Sequence, residues 1–355
     1  MQTITLLVAC VLIAAVSCLQ WTTKAPMIFK RSDMLAVTIN GRLYVAGGCT
    51  RDQSTTGGNC AATNTLEYYT PSSNTWTQGA SMTVPRFRHV AINQGNNMWV
   101  IGGRDASDNL IYSSEYYNTQ TNTWTTGPSL PADTATSDGY AYNIGNIIYI
   151  AGGYSQNYNV SASVLSLDTS AATPAWTLTN IKLATPRGDL GATVIKGNVY
   201  VYGGFSFDFT QPLKTVEVLR NGSNQFTAVP NMSTARGDAA EAAVGDRLYV
   251  IGGETIEDGT DGHNHTLTIA QVESFDTTTN TWRSEPNIPD SRMRYGGNAI
   301  GNTIYVVGGQ RRNTISETSF VVENTVFALD TSSASSAQAA TISLLAIIVC
   351  LILNF

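Results

Sequence analysis

The chain has 355 residues, 43% of them hydrophobic and only 13% charged, with a formal net charge of −6 and a pI near 5.1. That acidic balance excludes nucleic acid and anionic membrane as general electrostatic partners. Low charge combined with 31 Gly and 16 Tyr describes an all-β extracellular chain better than a helical one.

In chain order, the first element is an apolar run from Ile4 to Val16, followed by Ser17 and Cys18. It reads as a secretory signal peptide over residues 1–18, although the usual basic residue ahead of the run is missing. A short strand signal follows at Gln20-Trp21-Thr22, and beyond it the chain repeats itself. Gly-Gly pairs fall at Gly47-Gly48, Gly102-Gly103, Gly152-Gly153, Gly203-Gly204, Gly252-Gly253 and Gly308-Gly309, in steps of 55, 50, 51, 49 and 56 residues. Each pair ends a short apolar strand: LYVA, MWVI, IYIA, VYVY, LYVI and IYVV. A later strand carries a Glu with an aromatic residue nine positions on, at Glu67/Trp76, Glu115/Trp124, Glu217/Phe226 and Glu273/Trp282. The Ser/Thr/Asn-rich stretch between the two has turn composition.

The last segment, residues 331–355, is a Ser/Ala/Thr-rich spacer followed by an apolar tail from Ile342 to Phe355. The tail is shorter than the roughly 20 residues that span a bilayer. The pattern is that of a GPI-attachment signal with candidate sites Ser332, Ser333 and Ala334, a short tail anchor being the alternative. Of the five cysteines, Cys10, Cys18 and Cys350 lie in the terminal segments. Cys49 and Cys60 are left to pair in an oxidising compartment, a link worth roughly 3 kcal/mol. Glycosylation sequons at Asn159, Asn221, Asn231 and Asn264 suit a secretory route.

The sixfold diglycine, its apolar strands and the Glu/Trp spacing resemble the kelch repeat over about residues 20–330. The resemblance implies an all-β fold, a six-bladed kelch β-propeller with four-stranded blades, over residues 19–330. Blades stack face to face because none can bury both faces alone. Gly permits close backbone approach, and Trp wedges apolar bulk between blades. The sixth repeat has a third strand at Val326–Asp330 but no Trp strand after it. The orphan strand at Trp21 is expected to close that last blade from the N-terminal end and so remove a sheet edge.

Aligned repeats can be compared position by position. Sixteen residues before each diglycine stand Arg31, Arg86, Thr136, Arg187, Arg236 and Arg292; fourteen before stand Asp33, Arg88, Asp138, Asp189, Asp238 and Arg294. These residues open the innermost strand and are expected to share a face and ring one mouth of the central channel. They serve either as Arg-Asp pairs tying adjacent blades or as a ligand face made of Arg31, Arg86, Arg88, Arg187, Arg236, Arg292 and Arg294. Eleven before the diglycine stand Ala36, Ala91, Ala141, Ala192, Glu241 and Gly297. Glu241 is the candidate catalytic acid/base residue, or else closes an internal ion pair with a rim arginine.

The loop after the diglycine runs 12–13 residues in the second to fourth repeats but 19, 20 and 18 in the first, fifth and sixth. These three are neighbours in a closed ring, so the enlarged loops should cluster on the face of the Arg/Asp ring. One is stapled by Cys49–Cys60, and another adds Arg311 and Arg312 to the ligand face. In the third, Glu257, Asp261 and His265 are spaced four apart. That resembles the metal motif of kelch-type plant specifier proteins and suits a divalent metal such as iron, zinc or manganese; a solvated acidic loop is the alternative.

The expected function is a monomeric, cofactor-free recognition module in the secretory pathway, displayed on the outer face of the plasma membrane and touching it only through the C-terminal anchor. It would bind an extracellular protein or carbohydrate through the enlarged-loop face. The alternative is a secreted kelch-propeller enzyme acting on sugars, similar to sialic acid epimerases, or a metal-dependent, specifier-like activity.

Overall fold

A computed structural model describes residues 19–332, apart from 55–59, 135, 208–210, 259–263, 313 and 315. The signal segment, the apolar tail, Ser333, Ala334 and Asp261 lie outside the described residues. Among the described residues the regular elements are all strands, and no helix is long and apolar enough to cross a membrane.

The repeats fold as six four-stranded antiparallel sheets. The apolar strand before each diglycine is the second strand of its sheet and is buried along most of its length, as in Arg42–Ala46 and Asn198–Tyr202. The inner strands are Ala36–Ile39, Val90–Gln94, Tyr140–Ile144, Gly191–Ile195, Ala240–Val244 and Gly296–Ile300, and each neighbours the next in cyclic order. Apolar cores form between consecutive sheets. One unites Val90, Trp99 and Ile101 of the second sheet with Ile148, Ile150 and Trp176 of the third.

The diglycine explains itself locally. Gly47 has φ 68°, and a Cβ there would lie 2.7 Å from the Arg86 carbonyl oxygen of the next sheet. That carbonyl accepts the Gly48 amide at 2.8 Å. The same sheet-to-sheet bond recurs six times, ending with Gly309 donating to Arg31 O at 2.8 Å. A side chain on the first glycine would push the sheets apart and break it.

The sixth sheet runs Trp21–Lys24, Val326–Asp330, Thr303–Val307, Gly296–Ile300. The N-terminal strand pairs antiparallel with the third strand, Trp21 opposite Leu329 and Lys24 opposite Val326. Trp21 is buried in the core between the fifth and sixth sheets and donates its indole N–H to Pro286 O at 2.9 Å. Trp21→Ala is expected to cost about 3–5 kcal/mol, the scale of deleting a buried aromatic. Denaturant melts showing no loss would mean that the N-terminal strand is not part of the closed structure.

Candidate functional site

The arginines sixteen residues before the diglycine turn inward. Arg187 donates to Gly203 O at 2.9 Å and, through Nη2, to Glu217 Oε1 at 2.6 Å within its own sheet. Arg31, Arg86 and Arg236 do the same with Glu67, Glu115 and Glu273, at 2.8, 3.1 and 2.6 Å. Each of these Glu residues also accepts two backbone amides from the segment entering the sheet, as Glu217 does from Ala184 and Thr185. All four guanidiniums are fully buried, so Arg31, Arg86, Arg187 and Arg236 cannot belong to a ligand face, and that expectation is corrected. Arg292 is buried too; it bonds Gly308 O at 2.7 Å and Asp290 at 3.1 Å, with Phe327 standing where the first, second, fourth and fifth sheets have Glu.

The third sheet lacks both members of the pair, with Thr136 for the Arg and Leu165, opposite Ile150, for the Glu. In the third sheet both charges go together, and in the sixth the retained Arg292 takes Asp290 as its substitute partner, as expected if a buried charge cannot stand uncompensated. Arg187→Met is expected to cost about 3–5 kcal/mol. The double change Arg187→Thr with Glu217→Leu, copying the third sheet, should recover most of that loss in urea melts. A double variant no more stable than the single one would refute the pairing argument.

The residues fourteen before the diglycine behave differently. Asp33, Arg88, Asp138, Asp189, Asp238 and Arg294 all have φ between 50° and 56°. This left-handed turn breaks the two-residue alternation of a strand. It sends one side chain to the axis while its neighbour two residues earlier enters the sheet, which is why the two positions do not share a face. Each amide in this set donates to the carbonyl of the equivalent residue in the preceding sheet, at 2.8–3.0 Å, around a complete circle. The side chains tie the sheets as well: Arg88 lies 3.3 Å from Asp33 and 3.7 Å from Asp138, and Arg294 lies 2.8 Å from Asp238 and 3.8 Å from Asp33.

These residues line an axial cavity of about 60 Å³ together with His89, Tyr140, Glu241 and Tyr295. Glu241 is 5% exposed and is hydrogen-bonded by the Tyr140 and Tyr202 hydroxyls, the latter at 3.2 Å. No guanidinium reaches it, so the expected ion pair to a rim arginine is absent. Burial holds its carboxyl well above the usual carboxylate range. Such a group is protonated in the folded chain and ionised in the unfolded one, so native stability falls as pH rises above the ordinary Glu pKa. Glu241→Gln should therefore melt higher than the native chain, by a margin that widens from about pH 4.5 upward. A native chain more stable than this variant at pH 8 would contradict a neutral Glu241.

One set of residues at the mouth was not singled out in the sequence. Two positions after the first glycine of each pair stand Cys49, Arg104, Tyr154, Phe205, Glu254 and Gln310, all buried. Several reach the next sheet: Arg104 donates to Ser137 at 2.9 Å, Tyr154 to Asp189 at 2.8 Å, and Glu254 lies 3.8 Å from Arg294. The same cross-repeat alignment brings the six positions into register but shows no chemistry common to them. Burial and then the neighbouring Asp238 charge raise the Glu254 carboxyl to about 7. Burial also raises Asp138, to about 6, with Asp238 adding to the shift. Asp189 stands well above its usual range, through burial and then Asp238, Asp138 and Glu254.

The enlarged loops assemble as neighbours. Gln310–Arg311, Ser319–Val322 and Gln53–Ser54 form one three-stranded ribbon joining the sixth repeat to the first. Glu254–Asp258 and Asn264–Thr268 form a hairpin in the fifth, and Arg312 fastens it to the ribbon by donating to Thr266 O at 3.1 Å while its own carbonyl accepts Thr268 Oγ1 at 2.9 Å. Arg312 is 4% exposed and is thus a brace, not a ligand contact; Arg311 is partly exposed and pairs with Glu323 at 2.8 Å. Cys49 and Cys60 are joined, with Cα atoms 5.3 Å apart. Glu257 faces His265 across the hairpin, while Asp261 lies outside the described residues. Asn159, Asn221 and Asn231 are exposed, and Asn264 opens the second hairpin strand. Ser332 is exposed and hydrogen-bonds Asp330 at 2.7 Å.

Four-stranded antiparallel sheets of this repeat pattern, each neighbouring the next, define a kelch-type β-propeller. The KLHDC2/KLHL20/DRC7 Kelch-repeats domain matches residues 36–253, more than half of the sequence, and the chain belongs to the Kelch-repeat family. It is 26% identical over 271 residues to Kelch-like protein terF of Aspergillus terreus, covering 74% of this chain and 57% of that protein. It is 27% identical over 281 residues to Kelch-like protein 36 of Mus musculus, covering 77% of this chain and 43% of that one. The chain thus spans about half the length of the curated relatives it matches. The solved structure titled "Structure of YjhT" superposes with a TM-score of 0.70 at 13% identity, covering 85% of this chain and 95% of that one, a likeness of fold alone.

Proposed function

We propose that the chain is a closed six-bladed propeller acting as an extracellular recognition module. In this reading it travels the secretory pathway and is held at the outer face of the plasma membrane by a lipid attached at Ser332, Ser333 or Ala334. It binds a protein or carbohydrate through the platform of enlarged loops. The observation that carries this reading is the fusion of three loops from consecutive repeats into one braced surface beside the axial mouth. Loops held rigid by a scaffold are where binding sites concentrate. Kelch repeats generally mediate protein–protein interaction, so a protein is the first ligand class to test.

Glu241 supports a second reading, an enzyme acting on sugars. A neutral carboxyl between two tyrosine hydroxyls is equipped to donate a proton. The cavity beside it is small, about 60 Å³, so in this reading a sugar would react at the mouth. Recognition is the better-supported function.

A single experiment tests both the anchor and the platform. Phosphatidylinositol-specific phospholipase is expected to release the chain from cells, and the released chain is then applied to arrays of extracellular proteins and glycans. Binding should fall with Phe320→Ala and Arg311→Ala on the platform and survive Lys196→Glu at the opposite ends of the inner strands. Retention on the membrane with Phe355 intact refutes the anchor; binding lost with Lys196→Glu and kept with the platform variants refutes the recognition face.

A further inference from the structure

The axial mouth concentrates more negative charge than its arginines neutralise. Asp33, Asp138, Asp189, Asp238 and Glu254 converge there, and the guanidiniums ion-paired with them are those of Arg88 and Arg294. Arg88 and Arg294 share Asp33, and Arg294 also serves Asp238 and Glu254. Asp189 has no guanidinium within ion-pairing distance and is held only by the Tyr154 hydroxyl at 2.8 Å. Oxygens of Asp189, Asp238 and Glu254 lie within 4.8 Å of one another. Like charges this close repel, and they are relieved either by taking up protons or by a cation among them.

A second observation points to a ligand. Glu254 Oε2 and Asp138 Oδ2 are both buried and have no hydrogen-bond partner. Glu254 is 4% exposed, and the nearest guanidinium nitrogen of Arg294 is 3.8 Å away, beyond hydrogen-bond length. The Asp138 side chain is 7% exposed and lines the same cavity as Asp189 and Asp238. Buried orphan acceptors of this kind are costly and call for a missing donor or ion.

We propose that the mouth binds one hard divalent cation, calcium in preference, through Asp189, Asp238 and Glu254. An all-oxygen, carboxylate-rich site selects calcium, magnesium or manganese over softer metals. Calcium accepts irregular geometry at about 2.3–2.6 Å, so two of its ligands can stand up to about 5 Å apart, which matches this spread better than the small octahedron of magnesium. The site is separate from the loop pair Glu257 and His265. Because Glu254 is the first residue of the fifth-repeat hairpin, a bound ion would fasten the root of the platform to the axis.

Calorimetric titration of calcium into the purified full-length chain tests the proposal. One site per chain is expected, together with a calcium-dependent rise in melting temperature. Asp189→Asn and Glu254→Gln should each weaken binding by at least about tenfold and, without calcium, melt higher than the native chain at neutral pH because a carboxyl that the fold holds against ionisation is gone. Glu257→Gln and His265→Gln should bind as the native chain does. Should Asp189→Asn fail to fold, Glu254→Gln decides the variant test, and terbium emission sensitised by Tyr154 and displaced by calcium reports on the native chain directly. Neither heat nor thermal shift in the native chain, undiminished binding in Glu254→Gln, or binding lost only in the loop variants would overturn the proposal.

Discussion

Around the axis, six backbone amides each donate to the carbonyl of the preceding sheet, from Asp33 through Arg88, Asp138, Asp189, Asp238 and Arg294 and back. To make that bond each residue adopts a left-handed backbone near φ 50–56°. For an L-residue other than Gly this conformation is uncommon, and Asn and Asp are among those that tolerate it best. Four of the six positions are Asp. The ring therefore imposes its own electrostatics: the backbone that closes the circle recruits aspartates and points them at a common centre. Arg88 and Arg294 offset part of that repulsion and add side-chain links between neighbouring sheets.

Outside this ring lies a second one of opposite sense, in which the second glycine of each pair donates to the residue sixteen before the next diglycine. The buried arginine there does not face the neighbour. It spans its own sheet, satisfying the diglycine carbonyl and the Glu of the third strand together. Backbone thus joins the sheets, while buried charge organises each sheet internally. The third sheet, with Thr136 and Leu165, dispenses with both charges; the sixth keeps Arg292 and gives it Asp290 in place of the missing Glu.

Much of this was legible in the sequence because it repeats. The diglycine period located the sheets, and the unmatched Trp21 located the N-terminal strand now paired with Val326–Asp330. Loop lengths foretold that the first, fifth and sixth repeats would meet, as their ribbon and hairpin do. What failed was orientation. Period-two reasoning put Arg187 and Asp189 on one face, but the positive φ at Asp189 sends them to different places. Glu241 was correctly marked as anomalous among small residues, yet its partners, Tyr140 and Tyr202, come from the third and fourth sheets, and no spacing within one repeat reveals them. The role of Glu254 was hidden because its neighbours at that position, Cys49, Arg104, Tyr154, Phe205 and Gln310, share no chemistry.

The pairing of Trp21–Lys24 with Val326–Asp330 also has a mechanical side. Because the strands are antiparallel, Trp21 stands opposite Leu329, and the two ends of the ring leave the sixth sheet side by side. Tension applied between those ends would peel the ladder one rung at a time, the weakest way to load a sheet. Tension applied through one end alone does not cross the seam. A propeller tethered at a single end can therefore be tugged through its binding loops while its closure stays unloaded, whereas joining both ends to separate anchors would turn the same strand pair into a zipper.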